Sequence, residues 1–378
     1  VVIGRAKLDV LITGGGTAGH LYPAIAIAAA LERRGHPRAS LLFVGARAGL
    51  ERAILPSTGY RYVLLPGRGV RRRFTVANLL ALIGLGVAFA RALWIVGVDR
   101  PKVIVAVGGY GGVACALAGR VWGVPVVTVN VDAVVGAANR LIARFAKAST
   151  VPYPGASVPR AVVTGVPVRE EILAVDRSAP GRDEVRARRG IGPGQQLVVV
   201  VGGSLGARRM NDVAVALRSR WAVRDDLVLH HICGTRELER MAAVPVPTGS
   251  LDYRLVGYEE QMADVLCAVD LLIGRSGAMT VAEVRATGVP SILVPLPGAP
   301  SDHQRHNAEA LARLGGAIVV ADADATGERV GDLADSLLGD QRRLDEMGQA
   351  ARAGFTPDAA ARIAELIDEV AAGHGGAR

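Results

Sequence analysis

The sequence predicts an α/β protein made of two doubly wound domains with parallel sheets. Three observations carry this. Short, apolar, β-branched runs alternate with helical segments along the 378 residues, the pattern of parallel strands joined by right-handed crossovers. The length exceeds what one hydrophobic core usually spans. Each half also begins with an apolar run that ends in a glycine turn, at 14–19 in the first and 202–206 in the second.

The first-half strands are expected at 8–13, 40–44, 62–65, 103–107 and 124–129, and the second-half strands at 197–201, 227–232, 253–256, 271–273, 291–294 and 317–320. Most do not alternate polar with apolar residues, which suits strands covered on both faces. The stretch 166–196, rich in Arg, Gly and Pro, interrupts the rhythm and marks the boundary between domains facing each other across a cleft. The segment 335–372 reads as helices.

Residues 11–23, LITGGGTAGHLYP, read as strand, glycine turn and then a helix over the Ala-rich 24–31, with Pro23 near its first turn. Such a turn lets backbone approach a polar ligand and puts His20 at the carboxyl edge of a parallel sheet. Gly14, Gly16 and Gly19 satisfy GxGxxG, but a dinucleotide enzyme also needs an acid closing the second strand. That strand ends Val44-Gly45-Ala46-Arg47, so a nicotinamide oxidoreductase is a minor alternative. Gly108-Gly109-Tyr110-Gly111-Gly112 forms another turn at a strand end, on the side of His20.

Between the third and fourth strands, Arg71, Arg72 and Arg73 precede Phe74, and 77–98 is almost wholly apolar apart from Arg91. Its length is near the ~20 residues of a membrane-spanning helix. Arg91 would be expensive at mid-bilayer and the segment lies between strands of one sheet, so spanning is rejected. A buried crossover helix and a helix lying partly in a membrane surface both remain, the latter with the arginines on anionic head groups and Leu79, Leu82, Ile83, Phe89 and Trp94 on acyl chains.

In the second half, Gly202-Gly203-Ser204-Leu205-Gly206 follows a run of valines; its amides, the Ser204 hydroxyl and a helix N-terminus make a diphosphate site. Gly274-Arg275-Ser276-Gly277-Ala278 then ends a strand, with Glu283 about two turns into the next helix, where a carboxylate accepts from both ribose hydroxyls. The irregular run 295–307, PLPGAPSDHQRHN, is dense in donors and acceptors.

The formal charge of +9 favours an anionic partner such as a nucleotide or an anionic lipid surface. Nucleic acid is disfavoured, because the basic residues are dispersed and aromatics make up only 4%. Cys115, Cys233 and Cys267 lack disulfide or zinc-ligand spacing, and a reducing cytoplasm is the expected compartment. Residues 1–7 lead into the first strand without a signal-peptide pattern. No Asp-x-Asp pair lies within the glycine-turn motifs, and we expect no tightly bound metal and no cofactor.

Taken in order, GGGTAGH (14–20), GGYGG (108–112), TGVPVR (164–169), GGSLGAR (202–208), GRSGAMTVAE (274–283) and DHQRHNA (302–308) resemble the MurG family, inverting glycosyltransferases of the GT-B fold. The resemblance spans nearly the whole chain. It implies transfer of N-acetylglucosamine from UDP-N-acetylglucosamine to lipid I, giving lipid II at the cytoplasmic face of the membrane. It also implies an acceptor domain over 1–164 joined by a last helix at about 350–378, and a UDP-sugar domain over 165–349. By motif matching, Ser204 would hold the diphosphate and Glu283 the ribose. Arg169, Ala278, His303 and Gln304 would contact uracil, phosphate or sugar, and Tyr258 would lie near uracil. Thr17 and Gly19 would lie at the sugar end with His20, the candidate base, and Gly15, Tyr110 and Asn139 would line the acceptor side. The same resemblance assigns 74–96 to a membrane-facing patch.

Two positions depart from the family pattern. A His-Glu-Gln-Asn-like run is replaced by Val129, Asn130, Val131 and Asp132, so an acceptor that can be charged stands where the family has a donor-plus-acceptor amide. His303 stands where many members have Gln. Asp132 is thus a rival base to His20, and transfer of another sugar, or to another prenyl-phosphate acceptor in an antibiotic or glycolipid pathway, is the alternative function.

Overall fold

The computed structural model describes residues 8–47, 49–66, 76–203 and 206–375. Arg71, Arg72, Arg73, Phe74 and Ser204 lie outside these residues, as do the side chains of Leu79, Leu82, Ile83 and Tyr110. The chain divides into two compact units, Val1–Arg169 with Thr356–Arg378, and Glu170–Phe355.

The first unit runs β1 (Val10–Thr13), α1 (Ala18–Arg33), β2 (Leu41–Ala46), α2 (Glu51–Thr58), β3 (Arg61–Leu65), α3 (Val76–Asp99), β4 (Val103–Ala106), α4 (Gly109–Trp122), β5 (Val126–Val129), α5 (Ala137–Ala143), β6 (Ala148–Val151) and β7 (Ala161–Val163). Among the described residues its seven strands are parallel in the order β3-β2-β1-β4-β5-β6-β7. With β1 central and the order reversing beside it, the carboxyl ends of β1 and β4 form the switch point where ligands bind in such sheets. Both faces of β1, β2, β4 and β5 are buried, as their unbroken apolar runs require.

The second unit opens with α6 (Glu170–Leu173) and α7 (Ala179–Arg188). It continues through β8 (Gln196–Val201), α8 (Arg208–Arg220), β9 (Leu227–Ile232), α9 (Leu238–Ala242), β10 (Asp252–Val256), α10 (Met262–Ala268), β11 (Leu271–Gly274), α11 (Ala278–Thr287), β12 (Ser291–Leu293), α12 (His303–Ala312), β13 (Ala317–Val319), α13 (Gly327–Leu338) and α14 (Gln341–Arg352). Among the described residues its six strands are parallel in the order β10-β9-β8-β11-β12-β13, again with the switch point at the centre. The helix α15 (Ala359–Gly375) belongs to the first unit, where it packs on α1; Asp368 accepts from Arg34 (2.6 Å) and His36 (2.8 Å).

Two expectations are corrected. The helix after the first turn starts at Ala18, not near Pro23, so His20 lies in its first turn and Pro23 in its second. The strands β6 and β7, absent from the sequence reading, extend the first sheet. β6 carries Ser149 and Thr150, and β7 is an exposed edge strand whose apolar stretch is only three residues long, so neither shows the longer apolar run of a buried strand.

The apolar segment forms the crossover helix α3 between β3 and β4, with Ala88, Ala92, Ile95 and Val96 in the core. Its other face is exposed at Val87, Arg91, Trp94 and Val98, while Phe89 is half-buried. Among the described residues, no helix is long and apolar enough to cross a membrane.

Candidate active site

In the first unit, the turns after β1 and β4 touch. A Cβ on Gly109 would come within 2.7 Å of the Gly15 carbonyl oxygen, so side chains are excluded where the two backbones meet. The His20 ring lies against the other turn: a Cβ on Gly108 would stand 2.7 Å from Nε2 and 2.8 Å from Cδ2. Gly108 has φ +134, in the region that favours glycine. Thr17 caps α1; its carbonyl accepts from the His20 and Leu21 amides (3.2 Å each), and its Oγ1 lies 3.2 Å from His20 Nδ1. If Nδ1 carries the proton and donates to Thr17, Nε2 is the basic nitrogen.

The structure thus brings His20, Thr17, Gly15 and Gly19 together with the Gly108–Gly112 turn. Tyr110 sits in the first turn of α4. Asp132 follows β5, the strand next to β4, and is half-buried. Asn139, expected to face the acceptor, is instead buried inside the fold, its Nδ2 donating to the Val129 carbonyl and to Asn130 Oδ1 (2.9 Å each). Its Oδ1 is buried without a hydrogen-bond partner among the described residues. The Arg169 guanidinium stacks on Tyr22 of α1, 4.2 Å from the ring centre, within the first unit rather than the second.

In the second unit, the turn after β8 closes with the Gly206 amide donating to Gly203 (2.9 Å), and Gly206 packs against the Cys233 carbonyl. The next helix, α8, opens with Arg208 and Arg209. Cations at a helix N-terminus oppose its dipole, a cost of about 0.3–1 kcal/mol that a bound anion would remove. Beneath this turn runs a buried polar chain. Tyr253 Oη donates to His231 Nδ1 (2.9 Å), His231 Nε2 donates to Asn211 Oδ1 (3.0 Å), and Asn211 Nδ2 donates to the Cys233 carbonyl (3.1 Å). Burial, reinforced by nearby Arg218, lowers the His231 pKa to about 4.

At the end of β11, α11 starts at Ala278, with Glu283 buried in its second turn. Ser276 Oγ donates to the Gln304 carbonyl (2.8 Å), and Gln304 Oε1 accepts from the Leu296 amide (3.0 Å), leaving Nε2 as the donor end of that amide. His303 Nδ1 donates to the Pro300 carbonyl (2.8 Å), which makes Nε2 an acceptor in the neutral ring. Ser301 (φ 54) and Asp302 (φ 52) just before α12 are left-handed without being glycine, strain of about 1–3 kcal/mol each that gathers at ligand-binding segments. Tyr258, two residues beyond β10, is exposed. Beside it, hydrogen bonding from His230 holds the Glu259 carboxyl down at about 2, helped by Arg189.

Two residues escaped the sequence reading. Arg275 is buried, donates to the Val294 and Pro295 carbonyls (3.0 and 3.1 Å) and pairs with Asp322 (2.6 Å), so it pins the start of the 295–302 loop. It lies inside the 274–283 motif, where its own side chain turns into the fold. Glu51 is buried under the first glycine turn, with Oε1 accepting from the Gly16 amide at 2.7 Å. A ribose-binding acid would stand at the end of β2; Glu51 lies five residues past it with its carboxylate turned inward, where no ribose reaches it. Among the described residues, no three His, Cys, Asp or Glu side chains gather as a metal site would require.

Residues 10–151 match the glycosyltransferase family 28 N-terminal domain and residues 197–363 its C-terminal domain. The UDP-N-acetylglucosamine–N-acetylmuramyl-(pentapeptide) pyrophosphoryl-undecaprenol N-acetylglucosamine transferase of Desulforudis audaxviator is 36% identical, covering 96% of this chain and 99% of its own. The transferase of the same name from Clavibacter michiganensis is 38% identical, with 96% of each chain covered. The crystal structure of Acinetobacter baumannii MurG superposes with a TM-score of 0.72 at 28% identity, over 96% of this chain and 99% of that one. S. aureus MnaA, solved with UDP, shares the fold at 14% identity and a TM-score of 0.70, over 96% of each chain. With two Rossmann-like parallel-sheet units and matches along both, the chain belongs to glycosyltransferase family 28, in its MurG branch.

Proposed function

We propose that the protein transfers N-acetylglucosamine from UDP-N-acetylglucosamine to the muramoyl 4-hydroxyl of lipid I, with inversion, making lipid II for peptidoglycan. The observation that carries this is the 36–38% identity, over about 96% of the chain, to enzymes named for that transfer. The second unit takes the nucleotide sugar: diphosphate at the 202–206 turn with Ser204, ribose at Glu283, and the rest at Ala278, His303, Gln304 and Tyr258. Arg169 is assigned to the same ligand.

In the step itself, His20 Nε2 accepts the proton of the acceptor hydroxyl as its oxygen bonds the anomeric carbon. The bond from that carbon to UDP breaks and its electron pair leaves with the diphosphate. Backbone amides and the α8 N-terminus meet the growing charge. Thr17 keeps the tautomer that leaves Nε2 basic. No cofactor takes part in this reading.

The rival reading, another UDP-sugar or prenyl-phosphate acceptor, is favoured by one observation, Asp132 where the family has an amide-bearing residue. Incubation with labelled UDP-N-acetylglucosamine and a lipid I analogue tests the main reading: a labelled disaccharide lipid is expected, and no product with that acceptor contradicts it. We also assign the protein to the cytoplasmic face of the cell membrane as a peripheral enzyme, supported by the exposed apolar face of α3 around Arg91.

A further inference from the structure

We infer that Glu51 is a positioning residue for the base, its carboxylate holding the first glycine turn in the shape that presents His20. This rests on the assignment of His20 as base.

The carboxylate is enclosed, only 1% of the residue being exposed. Oε1 accepts from the Gly16 amide at 2.7 Å, and Oε2 is buried without a hydrogen-bond partner among the described residues. The surrounding chain makes room for it. A Cβ on Gly15 would come within 2.5 Å of Oε1, one on Gly45 within 2.7 Å of Cγ, and one on Gly49 would collide with Oε2. Three bare backbone positions, Gly15 in the turn after β1, Gly45 in β2 and Gly49 just beyond β2, therefore form the cradle. An apolar side chain would fill the same volume without the penalty of a buried carboxylate, so burial alone does not account for Glu51. Desolvation pushes the carboxyl up from its ordinary range, while backbone N–H groups, that of Gly16 among them, pull it down.

The held atom is well placed to act on His20. Gly16 precedes Thr17, the residue whose carbonyl accepts the His20 amide and whose hydroxyl meets His20 Nδ1. On the other side of Gly16, Gly15 abuts Gly109 of the second turn. Fixing the Gly16 amide thus fixes the cap, the imidazole and the contact between turns. The same bond takes up the Gly16 N–H, so the protein's own carboxylate occupies a donor that a phosphate would otherwise use.

The test is steady-state kinetics with UDP-N-acetylglucosamine and a lipid I analogue for full-length wild type, Glu51→Gln, Glu51→Ala, Glu51→Asp, His20→Ala and the Glu51→Ala/His20→Ala double variant. Glu51→Gln keeps an oxygen for Gly16 and is expected within about threefold of wild-type kcat, whereas Glu51→Ala is expected to fall at least about tenfold, with KM for the nucleotide sugar within about twofold. Because Glu51 acts through His20, Glu51→Ala adds no further loss in the His20→Ala background. Wild-type kcat in folded Glu51→Ala, a loss of the same factor in both backgrounds, or a loss in Glu51→Gln as deep as in Glu51→Ala overturns the inference. If Glu51→Ala does not fold, Glu51→Asp decides: its shorter carboxylate withdraws from Gly16, so a reduced kcat supports the inference and a wild-type kcat overturns it. Failure of the base assignment shows separately, as full turnover in His20→Ala alone.

Discussion

At the scale of single residues, the site depends on where side chains are missing. His20 rests on the bare Cα of Gly108, and Gly15 on that of Gly109, so two turns far apart in sequence close on each other. Gly108→Ala places a methyl group 2.7 Å from Nε2 in a backbone conformation that L residues rarely adopt. Displacements near 1 Å at a reacting group can cost on the order of 100-fold in rate. Gly108→Ala is therefore expected to lower kcat by about that factor while the protein still binds UDP; steady-state kinetics with UDP titration checks this, and unchanged kcat would show that the ring does not depend on that space. The position of His20 against the glycine turns was legible in the sequence because imidazole and glycines are contiguous. That of Glu51 was not, since a carboxylate turning back beneath a loop leaves no periodic or motif signal. Nor was the turning inward of Asn139, whose partners are a strand carbonyl and a neighbouring amide.

At the scale of elements, apolar runs located eleven strands to within a residue or two, because central strands of a parallel sheet are covered on both faces. The same reasoning passes over β6, which carries two hydroxyl residues, and β7, an exposed edge strand of three residues. It also started α1 late, because glycine and proline disfavour helix locally while packing of α1 against the sheet and α15 overrides that preference. The polar chain Tyr253–His231–Asn211 under the second-unit turn has a consequence for stability. His231 titrates near its ordinary value of 6.5 when unfolded and at about 4 when folded, so between those values the unfolded state binds the extra proton. Stability from this residue is thus complete above pH 6.5 and falls as pH drops toward 4, by on the order of 3 kcal/mol. Denaturant titrations across that range check it: His231→Gln should flatten the slope, and an unaltered slope would contradict the assignment.

For the whole molecule, the two parallel-sheet units, the family and the kind of reaction were readable from the strand pattern and six motifs in order, whereas the buried contacts of Glu51, Arg275 and Asn139 leave no motif. The charge of +9 and the exposed Val87, Trp94 and Val98 beside Arg91 lead us to expect co-sedimentation with anionic vesicles that weakens as salt rises. Failure to sediment at low salt would leave α3 as a crossover helix only. The choice of sugar is the sharper question, because Asp132 stands where an amide is expected and an acidic group changes which hydroxyl or acetamido atoms it favours. The most direct measurement is a competition in one reaction, with lipid I as acceptor and several UDP-sugars as donors, read by mass spectrometry of the lipid product. The account predicts N-acetylhexosamine addition from UDP-N-acetylglucosamine, outpacing every other donor by about 100-fold or more; preferential transfer of a different sugar, or consumption of UDP-N-acetylglucosamine without a lengthened lipid, would contradict it.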